Sequence, residues 1–350
     1  MKRIIALVMV LLMVAALCAC GNETGGAPQE TPTAEEQTDH EASEEADIAE
    51  IEELIDNGEY DTAFALLDSY KDSGDAEIEK LLGDCWRYGY GVESDGAAAQ
   101  EWYEKAIEHG NVEALCSLGW MYEAGGVVEQ SYEKAFEYFE KAAENGSAWG
   151  EYCLGFYYQY GHAVERDIDK AVEYYELAAE HGNQAATSNL GWLYETGDGV
   201  PMDLEKAVEY YKKGGDMGDA NGYAQLARLY QNGKGVEKST DKAVEYYQLA
   251  AEQNNIIACE ELGKMYLSGE GVEKDIQKGL ELYTRAAEMD EPYAQKYIAD
   301  TYFEGKIVEK DYEKAAYWYN ECANNRFADE QTARAAAKML EDPNIKAALQ

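Results

Sequence analysis

The residues that could do chemistry in this chain are aromatics beside a glycine turn, many carboxylates, four histidines and a scatter of cysteines. Leu190–Val200, LGWLYETGDGV, places Trp192 just before Gly197-Asp198-Gly199. Glycines in such a turn can bring backbone amides to a phosphate, and an indole can stack on a ligand. A phosphate loop needs a strand before it, however, and here a helical pattern precedes an acidic turn, so the turn reads as structural. Asp and Glu number 70 against 29 Lys and Arg. Carboxylate pairs fit for acid–base work are therefore too common to mark a site. No HExxH, Gly-x-Ser-x-Gly or Walker-type loop occurs.

Histidines and cysteines add little to a catalytic case. His109 and His181 hold the same position of an internal repeat, two repeats apart, which argues against a shared metal. Imidazole there suits the carbonyl end of a helix. His162 stands alone in a loop and His40 in an acidic stretch. Beyond Cys18 and Cys20, the cysteines are Cys85, Cys116, Cys153, Cys259 and Cys322. An odd set cannot all pair within the chain. Cys116 and Cys153 are nearly equivalent in adjacent repeats and close enough in register to meet, while isolated buried thiols are the default. No catalytic residue, metal or cofactor is assigned.

The elements that would position these residues are dictated by a period. Leu82-Gly83, Leu118-Gly119, Leu154-Gly155, Leu190-Gly191 and Leu262-Gly263 share one register with Leu226-Ala227 and Ile298-Ala299, at a constant spacing of 36 residues. Seven such units run from Asp75 to Arg326. Each reads as two helices. The first starts after Asp75, Asn111, Ser147, Asn183, Asp219, Asn255 or Glu291, and the second after Asp95, Ser131, Asp167, Asp203, Ser239, Asp275 or Asp311. All but Glu291 are good N-cap types, and Pro292 fits a first helical position. A glycine recurs between the helices (Gly89, Gly125, Gly161, Gly197, Gly233, Gly269, Gly305), with a valine three residues on, Val200 for example, to plug the loop. Paired rings such as Tyr174-Tyr175 supply bulk, and small pairs such as Ala286-Ala287 let neighbours approach.

Two registers differ in kind. Four residues after each leucine the side chain is always aromatic (Trp86, Tyr122, Tyr158, Tyr194, Tyr230, Tyr266, Tyr302), which reads as core. Two residues after it the series is Asp84, Trp120, Phe156, Trp192, Arg228, Lys264 and Asp300. Such variety cannot serve one repeated packing role. Trp120, Phe156 and Trp192 then form an aromatic half of a groove, and Arg228 and Lys264 a basic half, with Asn189 and Gln225 on the adjoining position. The competing reading puts the three rings between neighbouring helices.

This pattern resembles the Sel-one-like repeat family, a relative of the tetratricopeptide repeats with a slightly longer period. Its consensus is nearly intact in AATSNLGWLYETGDGVPMDLEKAVEYYKKGGDMG. The resemblance covers Asp75 to Arg326. It implies an all-α, right-handed superhelical solenoid of antiparallel helix pairs with a concave face, in interaction modules or adaptors rather than catalysts. Cys-rich relatives bridge the two helices of each unit. No unit here has two cysteines, so the β-lactamase-like or penicillin-binding activities attributed to such relatives are not expected. Residues 47–74 resemble a tetratricopeptide-type hairpin, and residues 327–350 read as a solvent-facing capping helix that closes residues 75–326.

The N-terminus concerns location. Lys2 and Arg3 precede an apolar run of 14 residues ending at Leu17, which fits an export signal and is short for a membrane span. The following Leu17-Cys18-Ala19-Cys20 resembles a bacterial lipoprotein box, which implies a signal peptide over 1–19 and lipid attachment at Cys20; the alternative is a plain secretory signal. Residues 20–46 read as an acylated cysteine with a disordered acidic tether. The formal charge of −41 disfavours nucleic acid and anionic headgroups and favours cations and basic surfaces.

The expected protein is thus a lipid-anchored, extracytoplasmic scaffold at a bacterial cell membrane. It binds a protein or peptide, by charge one with a basic surface, on the concave face of its repeats. The alternatives are a glycan or cell-wall binding module using the aromatic row, and, least favoured, an envelope enzyme. Contact with the membrane is expected through the anchor only, and no nucleic acid is expected.

Overall fold

The computed structural model describes residues 48–349, and every regular element among them is an α-helix. Cys20, the export signal and the acidic tether lie outside the described residues. The chain divides into two compact units, Met1–Ala142 and Ala143–Gln350. In the first, α1 (residues 48–56) and α2 (Tyr60–Ser69) form the N-terminal hairpin. They are followed by α3 (Ala76–Tyr88), α4 (Gly96–Glu108), α5 (Glu113–Ala124) and α6 (Tyr132–Glu144), and the division falls near the end of α6. The second unit holds α7 (Ala148–Tyr160), α8 (Ile168–Glu180), α9 (Gln184–Thr196), α10 (Leu204–Asp216), α11 (Ala220–Asn232), α12 (Thr240–Glu252), α13 (Ile256–Ser268), α14 (Ile276–Glu288), α15 (Pro292–Glu304) and α16 (Tyr312–Asn324). Two short helices, α17 (Glu330–Met339) and α18 (Pro343–Ala348), end the chain. Each unit is an all-α solenoid of antiparallel helix pairs, packed most closely within a pair.

The helix starts follow from the capping residues. Asn183 accepts from the Ala186 amide at 3.0 Å and Asp167 from that of Lys170 at 3.1 Å. One start differs from the sequence expectation. α5 begins only at Glu113, yet Asn111 still accepts from the Ala114 amide at 3.0 Å. Glu291, a poor cap type, accepts from the Tyr293 amide at 3.2 Å because its longer side chain folds back on the helix start.

The Leu-Gly signature has a steric cause. A Cβ on Gly155 would lie 2.6 Å from the Tyr175 ring, and one on Gly191 would lie 2.7 Å from Tyr211. The glycine admits the aromatic ring of the partner helix, and Tyr103, Phe139, Tyr175, Tyr211, Tyr247 and Tyr319 are among the largest buried side chains. Gly197 has a different task, ending α9 in the left-handed region at φ 68°.

The unvarying aromatic register is corrected by the structure. Tyr122 and Tyr266 are buried, but Trp86, Tyr158, Tyr194, Tyr230 and Tyr302 are only half-buried. Each half-buried tyrosine is covered by a lysine from the following helix; the Lys206 ammonium sits 4.7 Å from the Tyr194 centroid. The other face of Tyr194 stacks on Tyr210 at 5.7 Å. The ring fills a seam between helices and is closed by a cation, so it need not reach the core. The C-terminus also differs from the expected single helix. Asp342 caps a new helix with Pro343 in its first turn, and Ala336 and Ile345 are both buried.

Candidate functional site

The chemically varied register lies on the first helix of each pair, and the structure sorts its members. In the first unit, Trp120 on α5 is half-buried, its ring 6.4 Å from Phe139. In the second unit Phe156 is 8 % exposed and packs on Tyr160 at 4.5 Å and His162 at 5.7 Å, which takes it off the accessible face. Burial lowers the pKa of His162. Trp192 on α9 is 39 % exposed. Of the aromatic row within the second unit, one ring is in the core and one faces solvent.

The polar candidates of the second unit are already engaged. The Arg228 guanidinium donates to Glu195 Oε2 at 2.6 Å and Oε1 at 2.8 Å, and to Gln225 at 2.8 Å. Tyr211 donates to the same Glu195 carboxylate at 3.0 Å. Lys264 pairs with Glu261 at 2.6 Å. Asn189 is half-buried and holds the Tyr152 hydroxyl only at 3.4 Å. The supposed basic half of the groove is thus neutralised inside the chain, and what remains accessible is aromatic, amide and acidic.

Sequence reasoning missed several members of this face. Tyr160, at the end of α7, is 40 % exposed. Ser188 donates to the Asp219 carboxylate at the junction of two repeats. The equivalent positions two repeats on are Glu260 and Glu291. Burial first, then the charge of Glu260, pushes the Glu291 carboxyl up to about 7, and burial also raises Glu260 and Asp219. Aligning the seven copies by register would have exposed two acids at these positions.

The histidines have a structural task. His109 and His181 end α4 and α8, and each also reaches back to a buried glutamate of its own pair. His109 Nδ1 lies 2.7 Å from Glu79 Oε2, and His181 Nδ1 2.9 Å from Glu151 Oε2. In the seventh repeat the same two positions are Gln295 and Asn325, joined at 2.9 Å. A buried carboxylate or amide needs a donor, and the chain supplies a matched one in each case. The five body cysteines are all buried, with Cys85 pushed up to about 12 chiefly by burial. Among the described residues no group of three or more His, Cys, Asp or Glu is placed to hold a metal, and no helix is long and apolar enough to cross a membrane.

The Sel1 repeat model matches residues 80–111, 112–147, 150–183, 184–219, 220–255, 256–291 and 292–325. A crystal structure of a Sel1 repeat protein from Oxalobacter formigenes is similar at 29 % identity with a TM-score of 0.63, over 71 % of this chain and 98 % of that one. A protective antigen of uropathogenic Escherichia coli is similar at 28 % identity and a TM-score of 0.43, over 83 % of this chain and 70 % of that one. Yeast Tom70 is similar in fold at 16 % identity and a TM-score of 0.51, over 83 % of this chain and 62 % of that one. No curated protein matches the chain significantly.

Proposed function

We propose that this chain, which belongs to the Sel1 repeat family, is a lipid-anchored scaffold that holds a protein or peptide partner on the face built by its first helices. Sel1 and tetratricopeptide-like arrays generally act as protein–protein interaction scaffolds, and the array accounts for most of the described residues. One observation carries the partner reading. Trp192 is 39 % exposed at a position the repeat leaves free, whereas the tyrosines of the fixed aromatic position are buried or covered by lysine. An indole left open on a rigid helix is a strong anchor for a partner side chain. The −41 charge favours a partner with a basic surface. A peptide suits this face better than a glycan, because burial of Phe156 removes the neighbouring ring on which a sugar chain would continue to stack.

Cys20 supplies the anchor in this reading and sets the scaffold on the outer side of a bacterial cell membrane. Acylation is tested by the mass of the purified protein: Cys20→Ala loses the lipid mass and partitions into the aqueous phase. The partner reading is tested by crosslinking and pull-down from membranes with wild type and Trp192→Ala. The variant is expected to lose a specific, saturable partner while retaining its melting temperature. Equal recovery of every partner by both proteins would refute the role of this face.

A further inference from the structure

We propose that the solvent-facing side of α16, the last second helix of the array, is where two copies of this chain associate, antiparallel about a two-fold axis near Asn320. This surface is distinct from the first-helix face and stands independently of the partner reading above.

The repeat itself marks the place. The second helix of each copy turns the same strip of positions to solvent. At one of them six copies carry an exposed glutamate, Glu101, Glu137, Glu173, Glu209, Glu245 and Glu281, and the seventh carries Tyr317, 57 % exposed. Seven residues on, along the same strip, six copies carry exposed acids from Glu108 to Glu288 and the seventh carries Asn324. Asn320, also exposed, lies between them. Packing does not call for these exchanges, since both positions are exposed in every copy.

The strip is held in shape from within. Tyr317 stands edge-on to Trp318, with centroids 4.9 Å apart and planes at 78°. Asn324 donates to the Asn320 carbonyl at 2.9 Å and to its side-chain oxygen at 3.1 Å. The closing helices α17 and α18 pack on α16 and still leave Tyr317, Asn320 and Asn324 exposed. Glu321, about 70° round the helix, lies to one side of the strip.

Charge selects a second copy as the occupant. A molecule of formal charge −41 repels its copy wherever the outward acids persist, and on this strip they stop. The two ends of the strip carry opposite charges. Glu313 is exposed in the first turn of α16, and Arg326 is exposed just past its end, where the other six copies have glycine, asparagine or aspartate. Arg326 rests on the Phe327 ring at 4.6 Å, and among the described residues neither it nor Glu313 has an ion-pair partner within the chain. Glu313 stands seven residues before Asn320 and Arg326 six after it. Two α16 helices laid antiparallel, Asn320 facing Asn320, therefore bring Glu313 of each copy level with Arg326 of the other to within one residue. The same register sets each Tyr317 ring over the other copy's Asn324 carboxamide. A two-fold contact must be self-complementary, and this strip is. One helix from each side makes a small interface, so the association is weak and reversible.

The test uses the full chain in detergent, with micelles in excess, and a short bismaleimide that joins thiols of two copies. Wild type sets the background from the native cysteines. Asn320→Cys is expected to give at least about five-fold more crosslinked dimer than Glu140→Cys, the same register in an earlier copy, because docking raises the local thiol concentration. Adding Tyr317→Glu, which restores the residue of the other six copies, is expected to remove that excess. Arg326→Glu is expected to remove it too, and Glu313→Arg added to Arg326→Glu, which exchanges the two charges, to bring it back. Melting temperatures read in parallel establish that each variant is folded. Sedimentation of wild type and Tyr317→Glu repeats the comparison without a crosslinker, and a mass that rises with concentration is expected for wild type alone. Equal crosslinking at 320 and 140, an excess that survives Tyr317→Glu, exchanged charges that fail to restore the dimer, or a wild type that sediments as a monomer at every concentration would each overturn the inference.

Discussion

Ala163 sits in the left-handed region at φ 59°, where Gly199, Gly235 and Gly271 do the same work in later loops. A Cβ there is strained, and relief of that strain exceeds the extra flexibility that glycine brings to the unfolded chain. Ala163→Gly is therefore expected to stabilise the protein by about 0.5–1 kcal/mol in urea melts. Glu291 makes a prediction about pH. Its folded value of about 7 lies above the ordinary 4.5, so the folded protein holds this proton more tightly than the unfolded chain. The associated stability is fully present below pH 4.5 and is lost as pH rises through 7. Between pH 5 and 8 the loss should be on the order of 1–2 kcal/mol, and Glu291→Gln should flatten the slope. Parallel slopes in the two proteins would assign the dependence to other groups. Neither feature was legible in a single repeat. Ala163 looks harmless until four of its six equivalents are seen to be glycines, and Glu291 looks like a weak cap until the charge of Glu260 is considered.

Helix elements were legible because each is specified locally. Asp167, Asn183 and Asp203 announce starts, Gly197 announces an end, and the structure honours both. What the sequence hides is matching between elements. Glu79 is buried only because His109 comes to it from the end of the next helix. His109→Ala should cost about 2–4 kcal/mol, since it strands a buried carboxylate. The double variant Glu79→Gln, His109→Asn copies Gln295 and Asn325 and should recover most of that loss in thermal melts. A second match joins Gly215 to Tyr223, since a Cβ on Gly215 would lie 2.6 Å or less from the tyrosine ring carbons. Gly215→Ala should destabilise by about 1–3 kcal/mol, and adding Tyr223→Cys, the residue that stands as Cys259 beside Ala251 one repeat later, should restore stability. Failure of the second change to rescue the first would separate the two residues energetically.

Across the whole chain, variety at one register identified a face that the framework does not dictate, but it did not reveal which members face water. Phe156 and Trp192 are equivalent in sequence, yet one is 8 % and the other 39 % exposed, because Tyr160 and His162 fold over the phenylalanine. Buried thiols give a global test. A thiol reagent at pH 8 should label none of Cys85, Cys259 and Cys322 until denaturant opens the chain, and fast labelling of any one would locate a breathing repeat. Near-identical copies in tandem pose a hazard of their own, since a hairpin can dock one repeat out of place and still bury its rings. The tyrosine that needs a glycine opposes this error, because Gly215 and Tyr223 belong to successive hairpins. Shifted by one repeat, Tyr223 would meet Ala251. Such a pair works as an address, giving its hairpin a single place in the line during folding and making a misplaced one release rather than settle.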